Sequence, residues 1–273
     1  MKILEIIDTF ENSAPKICYI SRGINGSCSV NGNSIDMFAV APGFLDKQNQ
    51  GIYMVLPREN FPLETGKTLY DSHGGVILDI NEKVSENTYR LTVNQAGFIC
   101  LSDTLDIIHI IKTCILTVSD KGSRGERNDT SGPALSDMID SIGSDIIDAK
   151  IVPDERSAIT STIKQWINQY CPDVILVTGG TGLSSRDVTP EALRSISDSE
   201  IPGIGEYMRI KTSEFTERSI LSRSSAHIID RTLVISLPGS KKGSTQCLGV
   251  ILPIMRHAVD IITARETECG TSS

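Results

Sequence analysis

The run Asp173-Val174-Ile175-Leu176-Val177-Thr178 breaks directly into Gly179-Gly180-Thr181-Gly182. A continuous apolar run of this length, bounded by glycines, has no polar face to turn to water, so as a strand it must be covered on both sides. Strands of that kind belong to parallel sheets, where crossover helices supply the cover. The neighbouring sequence offers the rest of such a sheet. Cys114 to Ser119 and Leu233 to Pro238 are further apolar runs, and Ile146 to Val152 reads as a strand. Pro133 to Ile142 and Ser157 to Tyr170 carry helical spacing between them, the second with Ile159, Ile163, Trp166 and Ile167 on one face. Thr245 to Ala264 is helical too, with Pro253 kinking it or starting a helix. The expectation for residues 111–273 is an α/β domain, a mostly parallel sheet with helices on both faces.

Residues 1–110 follow a different pattern. Short apolar runs, among them Ile17 to Ile20, Ile52 to Leu56, Gly75 to Ile80 and Tyr89 to Val93, are bounded by Gly, Asn and Pro. Asn31-Gly32-Asn33 between Cys28-Ser29-Val30 and Ile35-Asp36-Met37 signals a hairpin. Little here has helical period, so a small β-rich barrel or sandwich is expected, its role left open.

Composition removes several function classes. At 273 residues, with 39% hydrophobic and 22% charged residues, the chain suits two small domains with real cores. A net charge of −8 argues against nonspecific nucleic-acid binding, which needs Lys and Arg at phosphates. The seven cysteines are odd in number and form no CxxC pair, against a zinc site or a disulfide framework, and the four histidines are scattered. No apolar run approaches the roughly 20 residues of a membrane helix. Met1-Lys2-Ile3-Leu4-Glu5 lacks a leader pattern, so a cytoplasmic location away from membranes is expected.

Ligands of open α/β sheets sit at the carboxyl ends of strands, and three unusual loops leave strands there. Ser119-Asp120-Lys121-Gly122-Ser123-Arg124-Gly125 leads to Asn128-Asp129-Thr130-Ser131-Gly132-Pro133, where Thr130 or Ser131 can cap a helix whose free N–H groups suit an anion. Thr178 to Gly182 lets the backbone approach a ligand closely, with Thr178 and Thr181 adding hydroxyl donors. Asp187 follows, placed to hold a cation beside phosphates, before a helix starts at Thr189-Pro190-Glu191. Leu237-Pro238-Gly239-Ser240-Lys241-Lys242-Gly243 is the third loop. One such turn is often only a turn. Three in one parallel-sheet pattern point to a phosphorylated small molecule. Neither a Walker A loop nor a G-x-G-x-x-G fingerprint is present.

Thr178-Gly179-Gly180-Thr181-Gly182, Arg186-Asp187-Val188-Thr189-Pro190-Glu191-Ala192, Ile201-Pro202-Gly203-Ile204-Gly205-Glu206, Leu221-Ser222-Arg223-Ser224 and Leu237-Pro238-Gly239-Ser240 together resemble the Mog/MoaB family of molybdopterin-binding proteins over about residues 112 to 265. Thr117-Val118-Ser119-Asp120 fits as well. The resemblance implies molybdopterin adenylyltransferase activity: the terminal phosphate of molybdopterin attacks the α-phosphate of ATP, pyrophosphate leaves, and Mg²⁺ is required. The family's two critical aspartates fall on Asp154 and Asp187, as catalytic residues and metal ligands. Each also admits a plain reading as a helix cap. The implied substrate-binding set is Ser119, Asp120, Ser123, Thr178, Gly179, Gly180, Thr181, Gly182, Arg186, Thr189, Pro190, Glu191, Ser222, Arg223, Pro238, Gly239 and Ser240. A homotrimer is implied, with other molybdenum cofactor enzymes as partners. Related domains also bind or carry molybdopterin without adenylylating it, which is the competing function. Two positions depart from the family pattern: His227 follows Ala226 where glycine is frequent, and Lys241 follows Ser240 where proline is frequent.

Overall fold

The computed structural model describes residues 1–9, 17–22, 28–30, 33–45, 49–71 and 75–264. The chain divides into two compact units, Met1–Ile110 and Ile111–Ser273.

The first unit is built from β1 (Glu5–Asp8), β2 (Ile17–Arg22), β3 (Cys28–Val30), β4 (Asn33–Ile35), β5 (Met37–Val40), β6 (Ile52–Val55), β7 (Thr68–Tyr70), β8 (Ile77–Ser85), β9 (Thr88–Gln95), β10 (Gly97–Cys100) and β11 (Asp106–Ile108). Seven strands run in the order β1-β6-β5-β9-β8-β7-β11, and four in the order β10-β2-β3-β4. Alternation decides the faces. Cys18, Ile20 and Ile99 of the smaller sheet turn inward and join Met54, Leu78 and Leu91 of the larger one in a single apolar cluster. This confirms a β-rich first unit. Asn31 and Gly32 of the expected hairpin lie outside the described residues, while the flanking β3 and β4 pair antiparallel.

The second unit contains β12 (Ile111–Val118), α1 (Asp120–Ser123), α2 (Ser131–Ile139), β13 (Ser144–Val152), α3 (Arg156–Tyr170), β14 (Val174–Thr178), α4 (Thr189–Arg194), β15 (Ser199–Glu200), α5 (Pro202–Thr212), β16 (Ala226–Ile229), β17 (Thr232–Leu237) and α6 (Lys241–Ile262). Six strands form one sheet in the order β13-β12-β14-β17-β16-β15. The pairs among β13, β12, β14 and β17 are parallel, and the last two are antiparallel. The α/β expectation holds, with an antiparallel edge that short apolar runs did not announce. Ala226–Ile229 includes His227, a polar residue that is fully buried all the same.

Both sheet faces are covered. Ile115, Val174, Leu176 and Ile235 pack against α2, α5 and α6 through Leu135, Ile139, Met208, Leu248, Ile251 and Met255. Their chain neighbours Cys114, Leu116, Ile175, Val177 and Val234 pack on the opposite side against Ile159, Ile163, Trp166, Ala192 and Leu193 of α3 and α4. The period of two along strands buried on both faces explains why these runs are apolar throughout. Trp166 is completely buried, and its Nε1–H donates to Asp148 Oδ2 at 2.8 Å, so the ring enters the core without an orphaned donor.

Two further expectations change. The loop after β12 contains the single turn α1, capped by Ser119, whose Oγ accepts from Gly122 N–H. The last helix starts at Lys241 rather than Thr245, capped by Ser240, and Pro253 lies inside it. By length and composition alone α6 is long and apolar enough to cross a membrane. Its stripe of Cys247, Leu248, Ile251, Met255 and Val259 is buried in the core, while Ile254 and Ile261 on the same helix are exposed.

Residues 111–273 made as a separate chain are expected to fold, because their two apolar clusters draw only on that unit. A cooperative thermal transition is the readout, and an insoluble or non-cooperative fragment contradicts it. Gly179→Ala is expected to destabilise by about 2 kcal/mol or more, since alanine is strained at positive φ and its methyl would displace backbone. Gly179 has φ +111°, and a Cβ there meets Val118 O at 2.2 Å. Denaturant unfolding measures the loss.

Candidate functional site

Register brings the four parallel strands to one edge. Val118 is level with Val152, Thr117 with Thr178, and Thr178 with Leu237. Ser119, Asp154, Gly179 and Pro238 therefore leave the sheet together. Hydrogen bonds tie these exits to each other. Gly179 N–H donates to Leu237 O at 3.0 Å, Thr178 Oγ1–H to Pro238 O at 2.8 Å, and Ser131 Oγ–H to Gly239 O at 3.2 Å.

The glycine loop turns where side chains have no room. Gly180, at φ +63°, faces Thr189 Oγ1 and Asp154 Oδ1, 2.4 and 3.2 Å from where a Cβ would stand. Gly182 faces Asp187 Oδ2, at 2.8 Å on the same measure. The loop is thus pressed against both aspartates. Thr189 pins it from below, its Oγ1–H donating to Gly179 O at 2.8 Å and its N–H to Gly180 O at 3.1 Å. The amides of Gly180, Thr181 and Gly182 have no acceptor among the described residues, which leaves them for an anion. Gly179 is not part of that set, because its amide is spent on Leu237.

Neither aspartate caps the helix that follows it. Asp154 exchanges bonds with Asp120: Asp120 N–H donates to Asp154 Oδ2 at 2.9 Å, and Asp154 N–H to Asp120 Oδ1 at 3.1 Å. Asp187 Oδ2 accepts from Ser184 N–H at 2.8 Å, behind it in the chain, and α4 has no side-chain cap. Burial pushes the Asp154 carboxyl above the usual range, and the Asp120 and Asp187 charges push the same way against the bond from Asp120. Asp120 is held low chiefly by the Arg186 guanidinium that pairs with it.

Other residues from the sequence reading serve as braces. Arg223 donates from Nε to Gly182 O at 2.8 Å, from Nη2 to Asp187 O at 2.6 Å, and from Nη1 to Glu191. Ser123 Oγ–H donates to Asp120 O at 3.0 Å. Pro190 is buried in the first turn of α4. His227 is a packing residue, fully buried beside Ser225, and burial keeps its pKa below the usual range.

Two cavities open at this edge. The larger, of about 470 Å³, is lined by Gly180, Thr181, Gly182, Asp187, Ser222, Pro238, Gly239 and Ser240 on its polar side and by Leu183, Met208, Leu221 and Cys247 on its apolar side. The smaller, of about 250 Å³, is lined by Ser119, Asn128, Asp129, Thr130, Ser131, Asp154, Thr178 and Gly179. Both include Gly180, Gly239 and Ser240, so they meet at the glycine loop, with Asp187 on one side and Asp154 on the other. Asp129 was missed as a site residue. Its Oδ1 accepts from Ser131 N–H at 2.9 Å and Gly132 N–H at 3.0 Å, so those α2 amides are not free for a ligand. An Asp two residues before the helix is the signal that would have found it.

Residues 114–257 match the family described as a probable molybdopterin binding domain. The chain is 35% identical over 150 residues to the molybdopterin adenylyltransferase of Helicobacter pylori, spanning 54% of this chain and 85% of that protein. It is 41% identical over 132 residues to molybdenum cofactor biosynthesis protein B of Escherichia coli K12, spanning 48% and 76%. The crystal structure of the molybdopterin biosynthesis enzyme MoaB from Thermus thermophilus superposes with a TM-score of 0.54 at 40% identity, covering 58% of this chain and 100% of that one. The glycine loop, both aspartates and both cavities lie inside the matched segment, and the chain belongs, through its second unit, to the molybdopterin binding domain family.

Proposed function

We propose that this chain is a molybdopterin adenylyltransferase of molybdenum cofactor biosynthesis, joining the adenylyl group of ATP to the terminal phosphate of molybdopterin and releasing pyrophosphate. The observation that carries this is the pair of cavities meeting at Gly180, Gly239 and Ser240, with Asp154 lining one and Asp187 the other. A transfer between two bound molecules needs two adjoining compartments and a shared wall at the reacting phosphates. A phosphate oxygen of molybdopterin forms a bond to the α-phosphorus of ATP as the bond to the β-phosphate bridging oxygen breaks, and the electron pair leaves with pyrophosphate. The protein's part is alignment and charge. The amides of Gly180, Thr181 and Gly182 hold phosphate oxygens, and the start of α6 behind Ser240 adds the positive end of a long helix.

The acids fit a hard divalent cation. Asp154 lies partly buried near the like charge of Asp187, an arrangement that a cation relieves. No group of three or more His, Cys, Asp or Glu side chains forms a cage among the described residues. Mg²⁺ needs none, being held by one or two carboxylates with substrate phosphates and water. Asp154 and Asp187 would hold it, and it would supply neutralisation of the phosphate charge. A carrier that only held molybdopterin would need one of the two cavities and neither acid, so the enzyme is the better reading. A soluble cytoplasmic homotrimer is the proposed state, in keeping with exposed Ile210, Phe215 and Ile220 on the second unit.

Incubation with molybdopterin, ATP and Mg²⁺ is expected to yield adenylylated pterin and pyrophosphate. Pterin binding without pyrophosphate release would leave only the carrier. Asp187→Asn is expected to slow single-turnover adenylylation by roughly 100-fold, about 2.7 kcal/mol, with pterin affinity little changed. Asn keeps an acceptor for Ser184 N–H, so its melting temperature should stay near wild type. A lowered melting temperature with wild-type turnover would reduce Asp187 to a structural residue. Asp154→Asn keeps an acceptor for Asp120 N–H and is expected to behave alike in the same assays, with full turnover excluding it from the site.

A further inference from the structure

We infer that Arg223 is a positioning residue for adenylyl transfer, holding the turn from Gly182 to Asp187 so that Asp187 keeps its place in the wall of the larger cavity, beside the glycine loop; this rests on the adenylyltransferase reading above. The sequence alone offers Arg223 as a direct phosphate ligand. Its surroundings give it other work. The Nε–H goes to Gly182 O at 2.8 Å, at the entry to the turn, and Nη2–H to Asp187 O at 2.6 Å, at its exit. The Nη1–H goes to Glu191 Oε1 on α4, and Arg223 N–H to Thr181 O at 2.9 Å. One planar fork therefore closes the turn across its two ends and ties it to the helix beyond.

Position supports the same assignment. Arg223 is absent from the lining of both cavities at the strand ends. With Glu191, Ser184 and Asp187 it lines a separate cavity of about 330 Å³. A guanidinium turned toward a phosphate would surrender bonds to Gly182 and Asp187. Within the turn, Asp187 is fixed only locally, its Oδ2 to Ser184 N–H at 2.8 Å and its N–H to Ser184 O at 3.0 Å. Arg223 is what joins that local unit to the glycine cradle. Glu191 aims the fork. Burial opposes its ionisation, yet its own N–H and Arg223 hold it below the usual range. Its Oε2 is buried with no hydrogen-bond partner, so the pair is not an arrangement that maximises stability. Lysine offers a point charge on a flexible stem and cannot span these acceptors with one planar group.

The test is steady-state and single-turnover adenylylation by full-length wild type, Arg223→Lys, Glu191→Gln, Asp187→Asn and the double variant Arg223→Lys/Asp187→Asn, with melting temperatures recorded alongside. Arg223→Lys is expected to lower kcat by about 10- to 100-fold, because a misplacement of about 1 Å at the reacting groups costs that much. The KM values for ATP and molybdopterin should stay within about twofold, since no substrate contact is lost. Added to Asp187→Asn, it should cost less than about threefold more, because the group it positions is already disabled. Glu191→Gln should lower kcat in the same direction but by less, and it stands in if Arg223→Lys does not fold. A raised KM with kcat intact makes Arg223 a substrate ligand and overturns the inference. Multiplying losses in the double variant, or an unchanged kcat in Glu191→Gln where that variant stands in, also overturn it. Absence of product from wild type overturns both the inference and the adenylyltransferase reading. Product from wild type with any of the contrary results overturns the positioning role alone.

Discussion

The site depends on how closely the backbone passes itself at Gly179. Its Cα lies beside the end of β12, so near that a Cβ would stand 2.2 Å from Val118 O, and a Cβ on Gly239 of the loop after β17 would stand 3.1 Å from that Cα. Only hydrogen fits there. That contact lets the exits of β12, β14 and β17 converge in place of splaying apart, as side chains of ordinary size would force them to. Everything that follows is built on it: the free amides of Gly180, Thr181 and Gly182, the seat of α6 behind Ser240, and the wall common to both cavities.

Electrostatics then divides the labour among acids. Asp120 is compensated by Arg186 and stays ionised as a strut, exchanging backbone bonds with Asp154. Asp154 has no cation of its own, and burial together with its acidic neighbours makes its charge costly. Glu191 is satisfied on one oxygen by Arg223. Asp154 and Asp187 flank the glycine loop where the cavities meet, Asp154 lining the smaller cavity and Asp187 the larger. Acids placed so close together have little use in stabilising a fold.

Much of the second unit was legible in its residues. Val174–Thr178 and Thr232–Leu237 could be read as strands because burial on both faces leaves no place for polar residues along them. Helix α3 was legible because Ile159, Ile163, Trp166 and Ile167 meet one surface at helical spacing. The antiparallel edge was not. Ser199–Glu200 is too short to show a period, and His227 sits inside by virtue of Ser225 and the packing around it, which local sequence does not reveal. In the first unit short strands could be counted, but the parallel β5–β6 pair inside an otherwise antiparallel sheet joins residues well separated in the sequence.

The sequence alone marks the loops at the strand ends as the candidate site, since glycines, hydroxyls and acids there have few other uses together and their order matches one family. It did not determine which of those groups face a ligand. Thr178, Thr189 and Arg223 look like ligand donors in one dimension, yet their hydrogens go to Pro238 O, Gly179 O, and the carbonyls of Gly182 and Asp187. Asp129, two residues before α2, takes the α2 amides that seemed open to an anion. The reason is that a donor satisfies the nearest well-aligned acceptor, and in a loop that acceptor is set by strands tens of residues away. Residue type limits what a side chain can do, and its folded surroundings settle what is left for it to do.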